Sequence, residues 1–276
     1  MSPLNYYMVR HSTQSLYTFE ATVVLAVWIV VLVLWRRAGD RRALAVYVVG
    51  GLYDSAIEML AATSGTRTIT AVQLFGVIPV GFPLLPLILG FFEGGVLLLV
   101  GFELVRGILE RDRAALAVGL GVMGALWALI AVGAAVMHAQ LAANASDLTL
   151  TVRPLLTPGS LVILAGCYSV ALAYVFGVRR GDRRERQGLF LWYACIAITA
   201  AAWYTPVFVS GGRRIAALVD GSYLPVSMGE QLAVLYGFSL LFEAAGFYLP
   251  VYVILRALGL IRETAAPELR ISPMST

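Results

Sequence analysis

Apolar residues along the chain gather in blocks of about twenty, divided by short polar stretches, rather than alternating over ten-residue strings. At 1.5 Å rise per residue, ~20 residues of helix cross a hydrocarbon core, whereas a membrane barrel is written in alternating segments of about ten. The blocks at 17–35, 43–63, 83–108, 114–139, 158–177, 188–208 and 231–257 therefore predict seven spanning helices. Thr157-Pro158 predicts a sharp start for the fifth, with Thr as N-cap and Pro at the first helical position. The stretch 68–82 is apolar but too short to cross with its own turn, and Pro79, Pro83 and Pro86 crowd its end. It is expected to be an outer loop or a partly re-entrant segment. The expected fold is all-α and polytopic: one transmembrane domain over 1–262, followed by a disordered cytoplasmic tail over 263–276 that carries Pro267 and Pro273.

Composition agrees with the pattern. Of 276 residues 60% are hydrophobic and 13% charged, against about a quarter charged in soluble domains. The charges also carry an orientation. All 20 basic residues are Arg; with seven spans, 15 lie on one side and Arg10, Arg67, Arg153, Arg213 and Arg214 on the other. The positive-inside rule then sets the N-terminus outside and the C-terminus in the cytoplasm of a multi-pass cell-membrane protein. The first 18 residues are polar with one Arg, and no small-residue cleavage site follows the first apolar run, so that run is expected to stay as a helix. Membrane lipid is the expected surrounding, and no nucleic-acid partner is expected.

The inventory of reactive groups narrows the chemistry. Without Lys, Schiff-base chemistry on a lysine amine is excluded. His11 and His138 are too few for a histidine-rich metal cluster, and Cys167 and Cys195 lie in apolar runs without metal-site spacing. They read as reduced packing residues, and no metal or cofactor is expected.

Carboxylates inside spans cost roughly 2.5–3.5 kcal/mol each on insertion scales and mark function by default. Glu20, Glu103 and Glu230 fall near span ends and are expected to be wetted. Asp54, Glu58, Glu93 and Glu243 fall deep. Asp54 and Glu58, four apart, share one helix face with Tyr47 and Gly51; Glu93 stands between Gly90 and Gly94; Glu243 shares a stripe with Tyr236, Ser239, Gly246 and Pro250. Glu58, Glu93 and Glu243 come out within one to two turns of the same depth, so one cavity is expected to collect them. No Arg is expected at that depth, and four unmatched acids cannot all ionise, so at least one is expected to be neutral, as a proton donor requires. In the sixth span Trp192, Thr199 and Trp203 share a face, flanked by Tyr193 and Tyr204. That face is either an aromatic belt or a wall that stabilises a cation at ~2 kcal/mol per contact when dry.

Acids and aromatics in an apolar pocket suit protonation of an isoprenoid alkene or epoxide, followed by a shielded carbocation cyclisation. No aspartate-rich DDxxD run is present to hold Mg²⁺ on a diphosphate. The stretch Tyr53-Asp54-Ser55-Ala56-Ile57-Glu58-Met59-Leu60, with a single acid in the last span in Phe242-Glu243-Ala244-Ala245-Gly246-Phe247-Tyr248, resembles the small seven-helix membrane terpene cyclases of meroterpenoid and indole-terpenoid pathways. The resemblance covers about a fifth of the chain and departs in having Glu, not Asp, in the last helix. It implies a terpene cyclase whose essential acid pair maps onto Glu58 and Glu243. Ser64-Gly65-Thr66 and Phe75-Gly76-Val77-Ile78-Pro79 are more faintly similar to membrane carotenoid hydratases and lycopene cyclases, which use the same protonation logic.

On this reading Glu58, assisted by Asp54, donates the proton to a hydrophobic isoprenoid drawn from the bilayer, and Glu243 or Glu93 accepts one from the final cation. Trp192, Trp203, Tyr204 and Tyr53 shield the charge, while Thr199, Tyr236 and Ser239 complete the substrate wall. Two further classes fit the same residues: a proton-linked carrier using the four acids as a relay, and a seven-helix binding or sensor protein without chemistry.

Overall fold

The computed structural model describes residues 6–12, 14–38, 41–65, 71–142 and 149–262. Among them seven long helices follow the apolar blocks: α1 (Gln14–Ala38), α2 (Arg42–Thr63), α3 (Leu84–Leu109), α4 (Arg113–Ala142), α5 (Pro158–Val178), α6 (Arg183–Val209) and α7 (Met228–Ala257). Six of them, α2 to α7, are long and apolar enough to cross a membrane; the apolar stretch of α1, Tyr17–Val33, is shorter. Only 22% of the apolar window of α4 and 17% of that of α5 is buried. Those helices turn their apolar side chains outward, as a lipid-facing helix does and a soluble one does not.

Helices α2, α3, α6 and α7 form the centre, where Tyr47, Phe102, Trp192, Ile196 and Tyr252 are fully buried. Small residues bring α2 and α3 together. A Cβ on Gly50 would meet Leu98 at 2.7 Å, one on Gly95 would meet Tyr47 at 2.9 Å, and one on Gly94 would collide with the side chain of Asp54. Thr157 caps α5 by accepting from the Ser160 backbone N–H, with Pro158 following, as its sequence predicts. At one end α3 joins α4, and α5 joins α6, by tight turns. There Glu185, buried at the start of α6, accepts from Arg256, from Arg179 at 3.2 Å and from Tyr252 Oη at 2.9 Å.

The other end holds what the hydrophobic pattern does not predict, six strands among the described residues. A hairpin of β2 (Val72–Leu74) and β3 (Ile78–Val80), turning through Gly76 at φ +72°, occupies most of the stretch expected as a loop or re-entrant segment. Residues 68–70 of that stretch, and the 263–276 tail, lie outside the described residues. An antiparallel sheet is drawn from the segment before α1 and from two connections, as β1 (Tyr6–Ser12), β4 (Thr149–Pro154), β5 (Arg213–Val219) and β6 (Ser222–Pro225), in the order β4-β1-β5-β6. Its register sets Met8 opposite both Arg153 and Ile215, and Arg10 opposite both Thr151 and Arg213. Side chains alternate faces along a strand and directly opposed residues share one, so Met8, Arg10, Arg153 and Arg213 belong to a single face of the sheet.

Candidate functional site

That face closes over a cavity of about 350 Å³ between sheet and helices. Asp54, Glu58, Glu93 and Glu243 all line it, together with Arg10, Arg153 and Arg213 from the strands. The four acids therefore do meet at one void. Asp54, Glu58 and Glu243 are 6%, 9% and 5% exposed.

Local helix geometry delivers two of them. Glu93 lies in a π-helical turn of α3, Phe91–Gly95, and Ser239 and Glu243 in a π-helical stretch of α7, Ala233–Ala244. Such i→i+5 winding is uncommon and concentrates at functional positions. Asp54 and Glu58 sit one turn apart on regular α2, and Asp54 Oδ1 accepts a 2.9 Å hydrogen bond from Tyr248 Oη. Tyr248 stands at a break in α7 before Pro250, and the break is held by side chains. Trp192 Nε1 donates to the Tyr248 carbonyl at 3.0 Å, and Tyr53 Oη to the Phe247 carbonyl at 2.7 Å.

The expectation of acids without counter-charge is overturned. Arg153 grips Glu243 with two parallel hydrogen bonds, 2.7 and 2.9 Å, the fork geometry that makes such pairs strong. Arg10 Nη1 lies 3.0 Å from Glu93 Oε1, and Tyr204 Oη donates to Glu93 Oε2 at 3.4 Å. Arg213 stacks over the Tyr204 ring, its guanidinium carbon 3.9 Å from the centroid. The guanidinium of Arg153 loses hydration by burial, yet its pKa is raised because Glu243, and then Glu58, favour the charged form. Counted as residues of an outer loop, these arginines looked like interface charges; the sheet folds them into the cavity.

Other sequence-predicted positions divide. Trp203, Tyr204 and Ser239 line the cavity. Trp192, Tyr53, Thr199 and Tyr236 do not, because their polar atoms are engaged elsewhere. Trp192 and Tyr53 support the α7 break, Thr199 Oγ1 donates to the Cys195 carbonyl at 2.8 Å, and Tyr236 Oη is bonded to Thr205 Oγ1 at 2.8 Å. Glu103, expected to be wetted, is buried 3.6 Å from Arg106. Glu230 is exposed and completes a capping box with Ser227 at the start of α7. Both cysteines are free and buried. Among the described residues no three His, Cys, Asp or Glu group closely enough to hold a metal ion.

Comparison with known proteins adds no relative. No protein-family model, no curated protein and no solved structure matches the chain. The reading of the site therefore stands on its geometry.

Two groups on the cavity wall escaped sequence reasoning. For the arginines the one local signal is the polar and apolar alternation in Leu150-Thr151-Val152-Arg153, the period-2 signature of a strand, which is too short to place Arg10 and Arg213 beside it. Tyr248 carried no comparable signal. The remaining wall is largely apolar, with Ile57, Leu60, Leu97, Ile163 and Phe247. Leu60 of α2 and Ile163 of α5 are at once cavity-lining and 54% and 42% exposed, so the void reaches the apolar flank of the bundle between those helices.

Proposed function

We propose that the protein is a multi-pass cell-membrane isoprenoid cyclase, metal-independent and started by a proton. It would have seven spans, counting α1, with the N-terminus and the sheet outside and the C-terminus in the cytoplasm. The observation that carries the reading is the convergence of Asp54, Glu58, Glu93 and Glu243 on one 350 Å³ cavity whose other walls are mostly apolar and aromatic. That volume is at the small end of ligand pockets, ~300–1,000 Å³, and suits one short folded isoprenoid better than a whole carotenoid. The flank marked by Leu60 and Ile163 gives a lipid-soluble substrate a lateral way in.

Glu58, with Asp54 beside it and Tyr248 on Asp54, protonates an epoxide oxygen or an alkene carbon. The epoxide is the easier substrate, since its strained C–O bond breaks as the O–H bond forms. The cation is attacked by the next double bond of the same chain, with Trp203 and Tyr204 facing the charge. Glu243, in its fork with Arg153, takes the proton lost from carbon at the end. One proton enters and one leaves, so the net change is an isomerisation.

Membranes carrying the protein, incubated with epoxyfarnesyl and geranylgeranyl compounds, are expected to yield cyclised isomers, and Glu58→Gln membranes none. Full turnover by Glu58→Gln ends the assignment. A proton-linked carrier is the second reading, favoured by the π-helical stretches at Glu93 and Glu243, which interrupt helices near the acids as carrier sites do. Proton-coupled uptake into proteoliposomes, with no cyclised product, would select it.

A further inference from the structure

The three cavity arginines are unevenly served. Arg10 has Glu93 and Arg153 has Glu243. Arg213, 7% exposed, has no carboxylate within ion-pair distance among the described residues, and its Nε is buried without a hydrogen-bond partner. Directly opposite it in the strand register stands another cation, Arg10. Like charges directly opposed on neighbouring strands destabilise a sheet, and a buried cation without a counter-charge is costly in itself. Desolvation first, and then the field of Arg10, hold the Arg213 pKa below its ordinary value, against Tyr204 and Glu93, which raise it.

Its geometry suits a ligand. The Tyr204 ring covers one side of the guanidinium, whose carbon lies 3.9 Å from the ring centroid, and the N–H donors of a guanidinium radiate within its own plane. A planar fork of donors with its Nε unpartnered matches two oxygens of a carboxylate or phosphate. Leu97, Phe247, Asp54 and Glu58 line the same cavity.

The geometry points to Arg213 as the receptor for an oxyanion at the end of an amphipathic isoprenoid, whose apolar chain lies along the cavity toward Asp54 and Glu58. This rests on the isoprenoid reading above and narrows its substrate class from any prenyl chain to one bearing a carboxylate or phosphate. The anion supplies a second counter-charge to Arg10 and Arg213, which have one carboxylate, Glu93, between them, and anchoring one end of the chain fixes which carbon reaches the acids.

The test uses the full chain in lipid nanodiscs and calorimetric titration with three probes sharing one prenyl chain: farnesoic acid, farnesyl monophosphate and farnesol. One anion or both should bind about tenfold to a hundredfold more tightly than the neutral alcohol, as expected for hydrogen bonds to a charged group. The tighter of the two identifies the oxyanion. Arg213→Gln should bring the anions down to the level of farnesol, with farnesol binding unchanged as the sign of an intact cavity. Arg213→Lys keeps the charge without the fork and should lose several-fold of the preference; it decides the matter if the Gln variant does not fold. Equal binding of all three probes by the unmodified protein, or an undiminished preference in both variants, overturns the inference. Because binding is read without turnover, failure of the cyclase assay leaves the anion preference measurable. Cyclisation of neutral substrates with equal affinities for all three probes removes only the headgroup, and no binding of any prenyl probe removes both readings.

Discussion

Arg153 on strand β4 and Glu243 on helix α7 meet fork to fork, with hydrogen bonds of 2.7 and 2.9 Å joining sheet and helix bundle across the cavity. Arg153 keeps about a third of its side chain exposed while Glu243 is buried, so the loss falls unequally on the two partners. Arg153→Met leaves a buried carboxylate without its cation and should cost about 1.5–3 kcal/mol. Glu243→Gln should cost less, and the double variant less than the sum of the two. Thermal melts of the four proteins measure the coupling, expected within roughly 0.5–3 kcal/mol; strictly additive losses would show that the fork contributes nothing.

Tyr248→Phe removes one oxygen, the donor to Asp54. The buried acceptor then loses a hydrogen bond at a cost of about 1–3 kcal/mol. Trp192→Phe removes the donor to the Tyr248 carbonyl and acts on Asp54 only by loosening the helix break. If Tyr248 positions the acid pair, Tyr248→Phe lowers kcat with KM little changed, and Trp192→Phe does the same more weakly. An effect confined to stability in both variants would leave them as packing residues.

The contact of α2 with α3 is testable through two glycines with opposite surroundings. A Cβ at Gly94 would run into Asp54, whereas one at Gly124 on α4 meets nothing within 4 Å. Gly94→Ala should destabilise by about 1–3 kcal/mol through overpacking and displace Asp54 from Tyr248. Gly124→Ala should be neutral or stabilising by roughly 0.5–1 kcal/mol. Detergent melting temperatures separate the two, and equal shifts would contradict the close approach.

Asp112, in the turn between α3 and α4, accepts from the backbone N–H groups of Ala115 and Ala114 and pairs with Arg106 at 2.7 Å. The backbone hydrogen bond from Ala115 leads in holding its pKa below the ordinary 3.8. With the folded value depressed, its stabilisation is complete above the unfolded pKa and fades as pH falls through the folded one. Asp112→Asn should flatten the decline of melting temperature below about pH 4 and leave the neutral range little altered beyond the lost ion pair. An identical acid limb in both proteins would show that Asp112 does not contribute.

The helices were legible because a block of twenty apolar residues is a strong signal; α2 and α6 contain their expected ranges, as does the Thr157 cap its predicted helix start. The acids were legible for the same reason, since a carboxylate stands out against Leu and Val. Their cations were not. Arg10, Arg153 and Arg213 sit in strands of six or seven residues whose pairing joins distant parts of the chain, and charge counting assigns every loop arginine to an interface. Helical-wheel reasoning also failed where winding changes. Tyr236 shares an ideal α-helical stripe with Ser239 and Glu243, but the π-helical stretch of α7 turns it to Thr205 instead.

The order of the sheet has a consequence for how the protein is made. β1, first in the chain, lies between β4 and β5, which come from the middle and the last third. Arg10 cannot take its place opposite Thr151 and Arg213 until synthesis has passed Val219, so the cavity is completed late, after most helices exist. Deleting the residues before Gln14 should therefore leave the helices insertable while separating β4 from β5 and exposing the acids to water: a chain that reaches the membrane but binds no prenyl ligand.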